Sequence, residues 1–367
     1  MLLAARFLTH ALSPRFAGAA LLLLSTVLAG TARAEPPPPV IRFGVSTAGV
    51  GDPPRVNTGW LSVAQTRRFL EDEFKADGIK VEWLFFKGQG PAVNEALANH
   101  QLDFTTLGDL PSIIGRSVGI QARVVMSTSR GANTYVGVQP GSAIRGIADL
   151  RGKRIGFHKG TATQLAVDRI LERHGLTEKD VKVVNLEPAT SLAAFQSGDL
   201  DALFTTLQLL NLQDKGVARI IYSTHDTPTT GSGGNILVTD RFAQAHPELT
   251  QRVVTALVKA AHHASLPANR GEVLKLWASA GSVTAAQYEA DMKGQPLTYR
   301  LSPRFDPFIV ASDRKSVDDA LRFKLIRKSF DVGAWIDDRY VENAVKQLKL
   351  ESFWPAFDAN GAILPQP

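Results

Sequence analysis

The sequence contains no cysteine. A chain without cysteine forms no disulfide, offers no thiol nucleophile and has no cysteine for lipid attachment. It also lacks the His-Glu-x-x-His pattern of zinc hydrolases and the Gly-Lys-Ser/Thr sequence of phosphate-binding loops. These absences argue against several large enzyme classes, so we expect no catalytic residues, no metal and no cofactor.

The sequence also has little excess charge. Its 41 lysines and arginines against 35 acidic residues give a net charge of +6. Three of the arginines, Arg6, Arg15 and Arg33, lie in a segment that we expect to be removed, and without them the balance is only about +3. A surplus this small and dispersed is too weak for nucleic-acid binding, and we expect no nucleic-acid partner.

Long apolar runs are confined to the N-terminus. Arg6 and Arg15 precede the apolar run 16–28, and the small-residue pattern Ala32-Arg33-Ala34 follows it. This order predicts a signal peptide, residues 1–34, that is cleaved after Ala34. The alternative is an N-terminal membrane anchor, but the run is short for a membrane-spanning helix. We therefore expect an exported periplasmic protein.

The stretch 81–111 has the strongest structural signal in the rest of the chain. It predicts a strand, the corner Gly88-Gln89-Gly90 and a helix that Pro91 can begin. A second strand, 102–107, then leads through the corner Gly108-Asp109 into another helix. Helix N-termini present free backbone N–H groups and a favourable dipole to anions. We interpret the stretch as one wall of an anion-binding cleft.

A similar arrangement recurs about a hundred residues later. Leu102-Asp103 enters a strand that ends at Thr105-Thr106, and Leu200-Asp201 enters one that ends at Thr205-Thr206. The repeat indicates either two similar lobes facing one cleft or convergence of ordinary α/β units. Successive strand–helix units predict parallel sheets with right-handed connections.

Two polar stretches, 127–133 and 225–235, are interpreted as crossings between the lobes, with Arg130 as a surface residue of the hinge. Helices are predicted from Thr58 to Phe74, from Pro247 onwards and over 273–280, 285–292, 317–325 and 340–350.

Several motifs follow one another in a characteristic order. They are Lys87-Gly88-Gln89-Gly90-Pro91, Gly108-Asp109, Ile147-Ala148-Asp149-Leu150-Arg151-Gly152-Lys153-Arg154 and His158-Lys159-Gly160-Thr161. Together they resemble the periplasmic substrate-binding proteins of nitrate/sulfonate/taurine-type ABC importers, above all the aliphatic sulfonate-binding branch. The resemblance implies a two-lobed α/β fold of the type II periplasmic binding proteins, each lobe a mostly parallel sheet flanked by helices. It places lobe 1 at 40–128 plus 236–367 and lobe 2 at 129–235.

The chain departs from this pattern in two places. The loop 46–58 is longer and richer in glycine and proline than in the sulfonate branch. Where relatives often carry a Trp-Asp-Pro element, this chain has Thr205-Thr206-Leu207-Gln208.

Most of the candidate ligand-binding residues are hydrogen-bond donors at these corners, because an oxyanion needs several of them. The candidates are Ser46, Thr47, Gln89, Gly90, Thr106, Gly108, Asp109, Lys159, Gly160, Thr161, Thr163, Thr205 and Gln208. Asp109 could instead accept from a ligand amine or hydroxyl, and Lys159 could neutralise an anion. For some of these residues a purely structural role is equally compatible with the sequence. The glycines can be plain turn residues, Thr161, Thr163 and Asp109 can be helix caps, and Lys159 can be solvated.

The resemblance implies a monomeric receptor that binds a small organic anion and delivers it to an ABC permease in the inner membrane. An aliphatic sulfonate is the expected ligand, with a role in sulfur metabolism. Taurine, nitrate or an aromatic sulfonate or carboxylate is the alternative within this class. A second class is an enzyme of the related pyrimidine-precursor synthesis fold, which would work in the cytosol. The predicted signal peptide and the lack of cysteine argue against it.

Overall fold

Apolar β-branched and aromatic segments form the strands, as their side chains suit a pleated surface. The computed structural model describes residues 36–226 and 232–365. The predicted signal peptide lies outside the described residues. Ten described segments are strands: β1 Val40–Val45, β2 Lys80–Phe85, β3 Phe104–Gly108, β4 Ala122–Ala132, β5 Tyr135–Val138, β6 Arg154–Phe157, β7 Lys182–Asn185, β8 Ala202–Thr205, β9 Arg219–Ser223 and β10 Ser232–Thr239.

Helices alternate with the strands and then dominate the C-terminal third. In the described residues they are α1 Gly59–Thr66, α2 Phe69–Phe74, α3 Gln89–Ala98, α4 Asp109–Ser117, α5 Ala162–Arg173, α6 Pro188–Gln196, α7 Gln208–Asp214, α8 Asp240–Ala245, α9 Pro247–Ser265, α10 Arg270–Ala278, α11 Ala285–Met292, α12 Leu297–Arg300, α13 Pro307–Arg322, α14 Val332–Trp335 and α15 Arg339–Gln347. No helix in the described ranges has the length and apolar character to span a bilayer.

The strands form two five-stranded sheets. Sheet 1 has the order β2-β1-β3-β10-β4, and sheet 2 has the order β7-β6-β8-β5-β9. We call the part of the chain built on sheet 1 lobe 1, and the part built on sheet 2 lobe 2. In each sheet three strands pair in parallel, and the strands at the crossings join them through antiparallel pairs. Both sheets are therefore mixed, because the chain passes between lobes without a crossover helix.

The first crossing continues a strand, where the sequence predicted a polar loop. Strand β4 continues to Ala132, and β10 begins at Ser232, with which Ala132 pairs. The ladder thus extends past residues 128 and 236, at which the sequence placed the lobe boundaries. The division into 40–128 plus 236–367 and 129–235 stays a prediction. Part of the second crossing, 227–231, lies outside the described residues.

Two helices differ from their predicted bounds. The helix predicted from Thr58 to Phe74 is interrupted at Arg68, whose φ is 59°. Trp60 and Leu70 would lie about 80° apart on one continuous helix, whereas the break lets both side chains be buried. The helix predicted from 317 begins ten residues earlier, because Asp306 caps it by accepting from the Ile309 N–H and Pro307 follows at the first position.

The apolar core of lobe 1 lies on both faces of its sheet. Phe43 and Phe104 of sheet 1 are buried with helices α1, α9 and α15, while Leu102 and Leu237 are buried with α4 and α13 on the other face. The second of these clusters includes Leu165 of helix α5, which belongs to lobe 2. The C-terminal helices therefore pack on lobe 1, as expected, and α13 also reaches α5.

Arg130, at the first crossing, is a buried structural residue, and its interpretation as a surface residue was wrong. Its side chain is 1% exposed and its Nη1 donates to Asp306 Oδ2 over 2.5 Å. The Nη2 atom donates to Ser302 Oγ over 3.1 Å. Asp306 also accepts from the Phe357 N–H. The crossing is thus fastened to the start of α13 by a buried ion pair.

A polar group of five residues joins the lobes beside this crossing. Arg169 on α5 donates from Nε to Asp319 Oδ2 over 2.7 Å and from Nη2 to Ser316 Oγ over 2.9 Å. The side chains of Arg169 and Asp319 are 6% and 4% exposed. We call Asp109, Arg169, Asp313, Ser316 and Asp319 the interlobe polar cluster.

Burial raises the pKa of the two other carboxyl groups of the cluster. Burial raises the pKa of Asp109, against the opposing charge of Arg169. The pKa of Asp313 is raised to about 7, mainly by burial and to a smaller extent by the charge of Asp109. Within the described part of the chain, Asp313 Oδ2 is buried without a hydrogen-bond partner. The folded protein therefore favours a neutral Asp313.

Removing one partner of the Arg130–Asp306 pair should destabilise the protein strongly. We expect Asp306→Ala to lower the free energy of unfolding by about 3 to 5 kcal/mol, since it leaves a buried charge unpaired. Urea titration followed by circular dichroism measures this. The control is Asp72→Ala, which removes the exposed Arg68–Asp72 pair and should cost less than about 1 kcal/mol. Equal losses for the two variants would contradict the prediction.

The cluster also predicts a pH dependence of stability. The folded pKa of Asp313, about 7, is above its unfolded value of 3.8, so the folded state binds more protons between these values. The free energy of unfolding should then fall as pH rises through this window, on the order of 1 kcal/mol per pH unit from this group. Asp313→Asn keeps a neutral side chain and should remove that contribution.

Urea midpoints at pH 5, 6, 7 and 8 measure the slope. The pKa of Asp168 is raised to about 8, mainly by burial and to a smaller extent by Glu178. Asp168 therefore also makes the free energy of unfolding fall as pH rises. The difference between wild type and Asp313→Asn therefore isolates Asp313. Asp318→Asn, on the exposed side of the same helix, is the control and should keep the wild-type slope. An unchanged slope in Asp313→Asn would show that Asp313 is not the titrating group.

Candidate functional site

A cleft lies where strand ends of both sheets meet. Its volume is about 460 Å³, and it is lined by five strand-to-helix corners. Lobe 1 contributes residues 47–49 with Asn57, which follow β1, and residues 87 and 89, which follow β2. Lobe 2 contributes residues from three stretches, namely 157–163 at the end of β6, 186–191 after β7 and 204–208 at the end of β8. Ligands of open α/β sheets bind at this end of the strands.

Five of the predicted site residues line this cleft. They are Thr47, Gln89, Thr163, Thr205 and Gln208. Thr47 and Gln89 come from lobe 1, and the other three come from lobe 2. The structure therefore brings together side chains from both halves of the sequence repeat.

Gln89 and His158 connect the two lobes directly. The His158 Nδ1 atom lies 2.9 Å from Gln89 Oε1. Burial lowers the pKa of His158, and the charge of Glu187 opposes this only in part. Because the amide oxygen of Gln89 can only accept, the Nδ1 atom of His158 donates to it. This leaves the Gln89 amide N–H groups for a ligand.

Gln208 is oriented in a similar way. The Thr206 hydroxyl donates to Gln208 Oε1 over 2.5 Å, so the amide nitrogen of Gln208 is left to donate elsewhere. Thr206 was not among the predicted site residues, although the Thr205-Thr206 repeat had drawn attention to it. Together with the hydroxyls of Thr163 and Thr205, the cleft presents uncharged donors from both lobes.

The backbone adds a favourable potential. Helices α3, α5 and α6 all begin at the cleft, at Gln89, Ala162 and Pro188. Each of these ends carries free N–H groups and the positive end of a helix dipole. Lys87 is the one cationic side chain among the cleft-lining residues described, and it is exposed. The site can therefore bind an anion mainly through neutral donors.

Part of the cleft lining is apolar. Ala48 of lobe 1 and Leu186 and Pro188 of lobe 2 are exposed or half-buried there, whereas Phe157 and Phe204 are buried in the core of lobe 2. Such a surface does not suit a bare inorganic ion, whereas it suits an organic group attached to an anion.

The eight other predicted residues lie outside the lining of this cleft. They are Ser46, Gly90, Thr106, Gly108, Asp109, Lys159, Gly160 and Thr161. Lys159 pairs with Glu178 over 2.6 Å. The Thr161 hydroxyl donates to the His158 carbonyl over 2.7 Å, and so it fixes the corner. Asp109 belongs to the interlobe polar cluster. Their direct contact with ligand stays a prediction.

The three glycines allow the lobes to touch. A Cβ on Gly90 would lie 2.4 Å from Pro111 Cβ of the same lobe and 3.3 Å from the Gly160 carbonyl oxygen of lobe 2. One on Gly108 would lie 2.8 Å from Ala162 Cβ of lobe 2. Gly160 has a φ of +74° and faces Pro91 of the other lobe. These positions are packed against protein atoms, so close approach of the two lobes explains the glycines there.

A nucleophile elbow is not formed where its pattern occurs. Gly115-Arg116-Ser117-Val118-Gly119 matches Gly-x-Ser-x-Gly, but the serine ends helix α4. An elbow requires a strand before the serine and a helix after it. The Ser117 hydroxyl instead donates to the Ile114 carbonyl over 2.8 Å.

Solved structures with this architecture include two that are more than 25% identical in sequence. A Methylobacillus flagellatus KT protein, provisionally named as a sulfonate ABC transporter component, the periplasmic sulfonate-binding protein SsuA, is 32% identical, with a TM-score of 0.74 over 87% of this chain and 97% of that one. The alkanesulfonate-binding protein SsuA from Xanthomonas axonopodis pv. citri, bound to MOPS, is 26% identical, with a TM-score of 0.68 over 83% and 99%. The predicted two-lobed α/β fold is thus confirmed.

Sequence comparison agrees with these structures. A Bacillus subtilis (strain 168) protein, provisionally named as an aliphatic sulfonates-binding protein, is 28% identical over 291 residues, or 78% of this chain and 85% of that protein. These relatives are binding proteins, as the sequence had indicated for this chain. The family model described as NMT1/THI5 like matches residues 61–267, more than half of the chain. The chain belongs to the NMT1/THI5-like family. Within that family it groups with the sulfonate-binding proteins described above.

Proposed function

We propose that this protein is the periplasmic solute-binding component of an ABC importer and that its ligand is an aliphatic sulfonate. The ligand occupies the cleft between the lobes, and the loaded protein delivers it to a permease in the inner membrane. The protein reaches the periplasm through a signal peptide that is cleaved after Ala34. The observation that carries the proposal is the cleft, which neutral donors, three helix N-termini and exposed apolar residues line together.

The donor set suits a sulfonate head group. A sulfonate presents three oxygens that share one negative charge, and each oxygen accepts hydrogen bonds. The amides of Gln89 and Gln208, the hydroxyls of Thr163 and Thr205 and the free N–H groups of the helix ends can donate from several directions. Binding to an anion through oriented neutral dipoles avoids burying an unpaired cation.

The apolar part of the lining suits the carbon chain of the ligand. Ala48, Leu186 and Pro188 offer surface to methylene groups, each worth about 0.8 kcal/mol when buried. An inorganic anion gains nothing from this surface. The structure therefore favours an organic sulfonate over nitrate or sulfate.

Ligand binding also favours one arrangement of the lobes. Thr47 and Gln89 belong to lobe 1, whereas Thr163, Thr205 and Gln208 belong to lobe 2. A ligand that accepts hydrogen bonds from both sets binds the closed arrangement better than an open one, and it shifts the population accordingly. A permease can then distinguish the loaded protein from the empty one.

A ligand panel tests the proposed chemistry. We expect methanesulfonate, butanesulfonate and MOPS to raise the melting temperature and to give saturable heats in calorimetry, without conversion to product. Butanoate, nitrate and sulfate should bind at least tenfold more weakly than butanesulfonate. Flat melting curves across all sulfonates would refute the proposal. Stronger binding of nitrate would replace the ligand class, whereas stronger binding of taurine would narrow it to aminoalkanesulfonates.

Removing one cleft hydroxyl should weaken sulfonate binding and spare the fold. Thr163→Val keeps the shape but loses the donor, and a hydrogen bond to a charged group is worth about 1.5 to 3 kcal/mol, or roughly 10- to 100-fold in Kd. Calorimetry with butanesulfonate measures the change. Thr190→Val is the matched control, since Thr190 is exposed and outside the cleft lining. Equal affinities of both variants and wild type would remove Thr163 from the site.

Export can be tested separately. When the full chain is expressed in a Gram-negative host, we expect the protein in the periplasmic fraction to begin at Glu35, as measured by intact mass or N-terminal sequencing. Ala34→Arg should block cleavage and retain the longer form with the membrane. A periplasmic protein that begins elsewhere would correct the cleavage site, and a membrane-bound wild type would support an anchor.

A further inference from the structure

A second cavity lies on the hinge side of the cleft. Its volume is about 240 Å³, and we call it the hinge pocket. It is enclosed by the end of the loop after β1, the end of β4, the corner after β8 and the helices α10, α11 and α12. These parts of the chain are far apart in sequence, and no local pattern predicts that they enclose a pocket.

The hinge pocket adjoins the main cleft along two chain segments. In the first segment, Asn57 lines the cleft, and Thr58 and Gly59 line the hinge pocket. In the second, Thr205 and Gln208 line the cleft, Leu207 lines the hinge pocket and Thr206 lines both. Consecutive residues of the same segments thus face the two spaces, and Thr206 stands between them.

The side chains that face the hinge pocket are mainly apolar. They include Ala132, Leu207, Trp277, Tyr288, Met292 and Leu301. Trp277 is held in place because its Nε1 donates to Ser62 Oγ over 3.1 Å. Its ring lies 5.3 Å from the ring of Tyr288. These two aromatic residues form a preorganised wall against which a flat apolar group can pack.

The charged residues that line the hinge pocket, Asp291 and Arg300, form an ion pair with each other. Asp291 accepts from Arg300 Nη2 over 3.0 Å, from the Tyr135 hydroxyl over 2.7 Å and from Asn133 Nδ2 over 2.9 Å. Arg300 also donates to the Gly131 carbonyl over 2.5 Å. The pocket thus offers no uncompensated cation to an anion, and apolar contact is what remains for an occupant.

We propose that the hinge pocket receives the organic tail of a sulfonate whose head group is bound in the main cleft. This inference rests on the proposed function and narrows its ligand class to aryl sulfonates and sulfonates with alkyl chains of about six carbons. The volume is sufficient, since a dry apolar cavity of about 150 Å³ accommodates benzene. The tail passes the Thr206 side chain, the point at which the two spaces adjoin.

Filling the pocket tests this assignment. Ala132→Leu places additional carbon atoms among the lining residues. We expect it to weaken binding of naphthalene-2-sulfonate and hexanesulfonate at least tenfold, while methanesulfonate binding stays within twofold of wild type. Ala76→Leu, at an exposed alanine of lobe 1, is the control and should change neither. Calorimetry on the full mature chain provides the affinities.

A second measurement does not depend on the stability of that variant. Bound naphthalene-2-sulfonate should quench tryptophan fluorescence through Trp277. At saturating ligand Trp277→Phe should lose most of this quenching, and its affinity for methanesulfonate, which has no tail to place in the pocket, should stay within twofold of wild type.

The outcomes separate the two proposals. If no sulfonate binds wild type, the proposed function and this assignment both fail. If methanesulfonate binds but Ala132→Leu weakens all three ligands equally or none of them, the tail does not enter the hinge pocket. Quenching that persists in Trp277→Phe also overturns the assignment.

Discussion

The buried ion pair between Arg169 and Asp319 is the constraint on which the relation of the two lobes depends. Both side chains are almost completely buried, and a buried charge without its partner costs several kcal/mol. Lobe 2 is therefore held to helix α13 of lobe 1 along this edge. Helix α5 carries Arg169 and, six residues earlier, Thr163, which lines the cleft. At 1.5 Å per residue the two positions are only about 9 Å apart along the helix axis. Movement of α5 towards a ligand is thus coupled to the interlobe polar cluster.

Close contact of backbone with backbone completes this arrangement. Gly90 and Gly108 lie where a side chain would collide with Pro111 and Ala162. The corners of lobe 1 consequently reach the start of α5 directly, and Gln89 comes within hydrogen-bonding distance of His158. The glycines do not need to touch a ligand in order to matter for binding, because they set the width of the cleft that their neighbours line.

The sequence predicted the strand-to-helix corners well. It predicted less well which remote residues the side chains at these corners contact. Strand-to-helix corners depend on local patterns, and five of the thirteen candidate residues line the cleft because they follow such corners. Asp109 has the same local pattern as Gln89, because each is a polar residue that follows a glycine and begins a helix. Only residues on α5 and α13, remote in sequence, decide that Asp109 is buried in an ionic cluster. Lys159 was similarly indistinguishable from a ligand cation until Glu178 was placed beside it.

The division between head-group recognition and selectivity follows from the same physics. Helix N-termini, amides and hydroxyls recognise charge and hydrogen-bonding capacity, and many oxyanions satisfy them equally. Discrimination among organic anions must then come from the part of the ligand that those donors do not contact. Apolar walls discriminate by size and shape, since an oversized group collides and an undersized one leaves surface unburied. In this chain the loop after β1 and the corner after β8 border both the donor-lined cleft and the apolar hinge pocket. If the hinge pocket receives the tail of the ligand, as we propose, the two segments in which the sequence departs from the sulfonate-binding pattern border the space that selects the carbon skeleton.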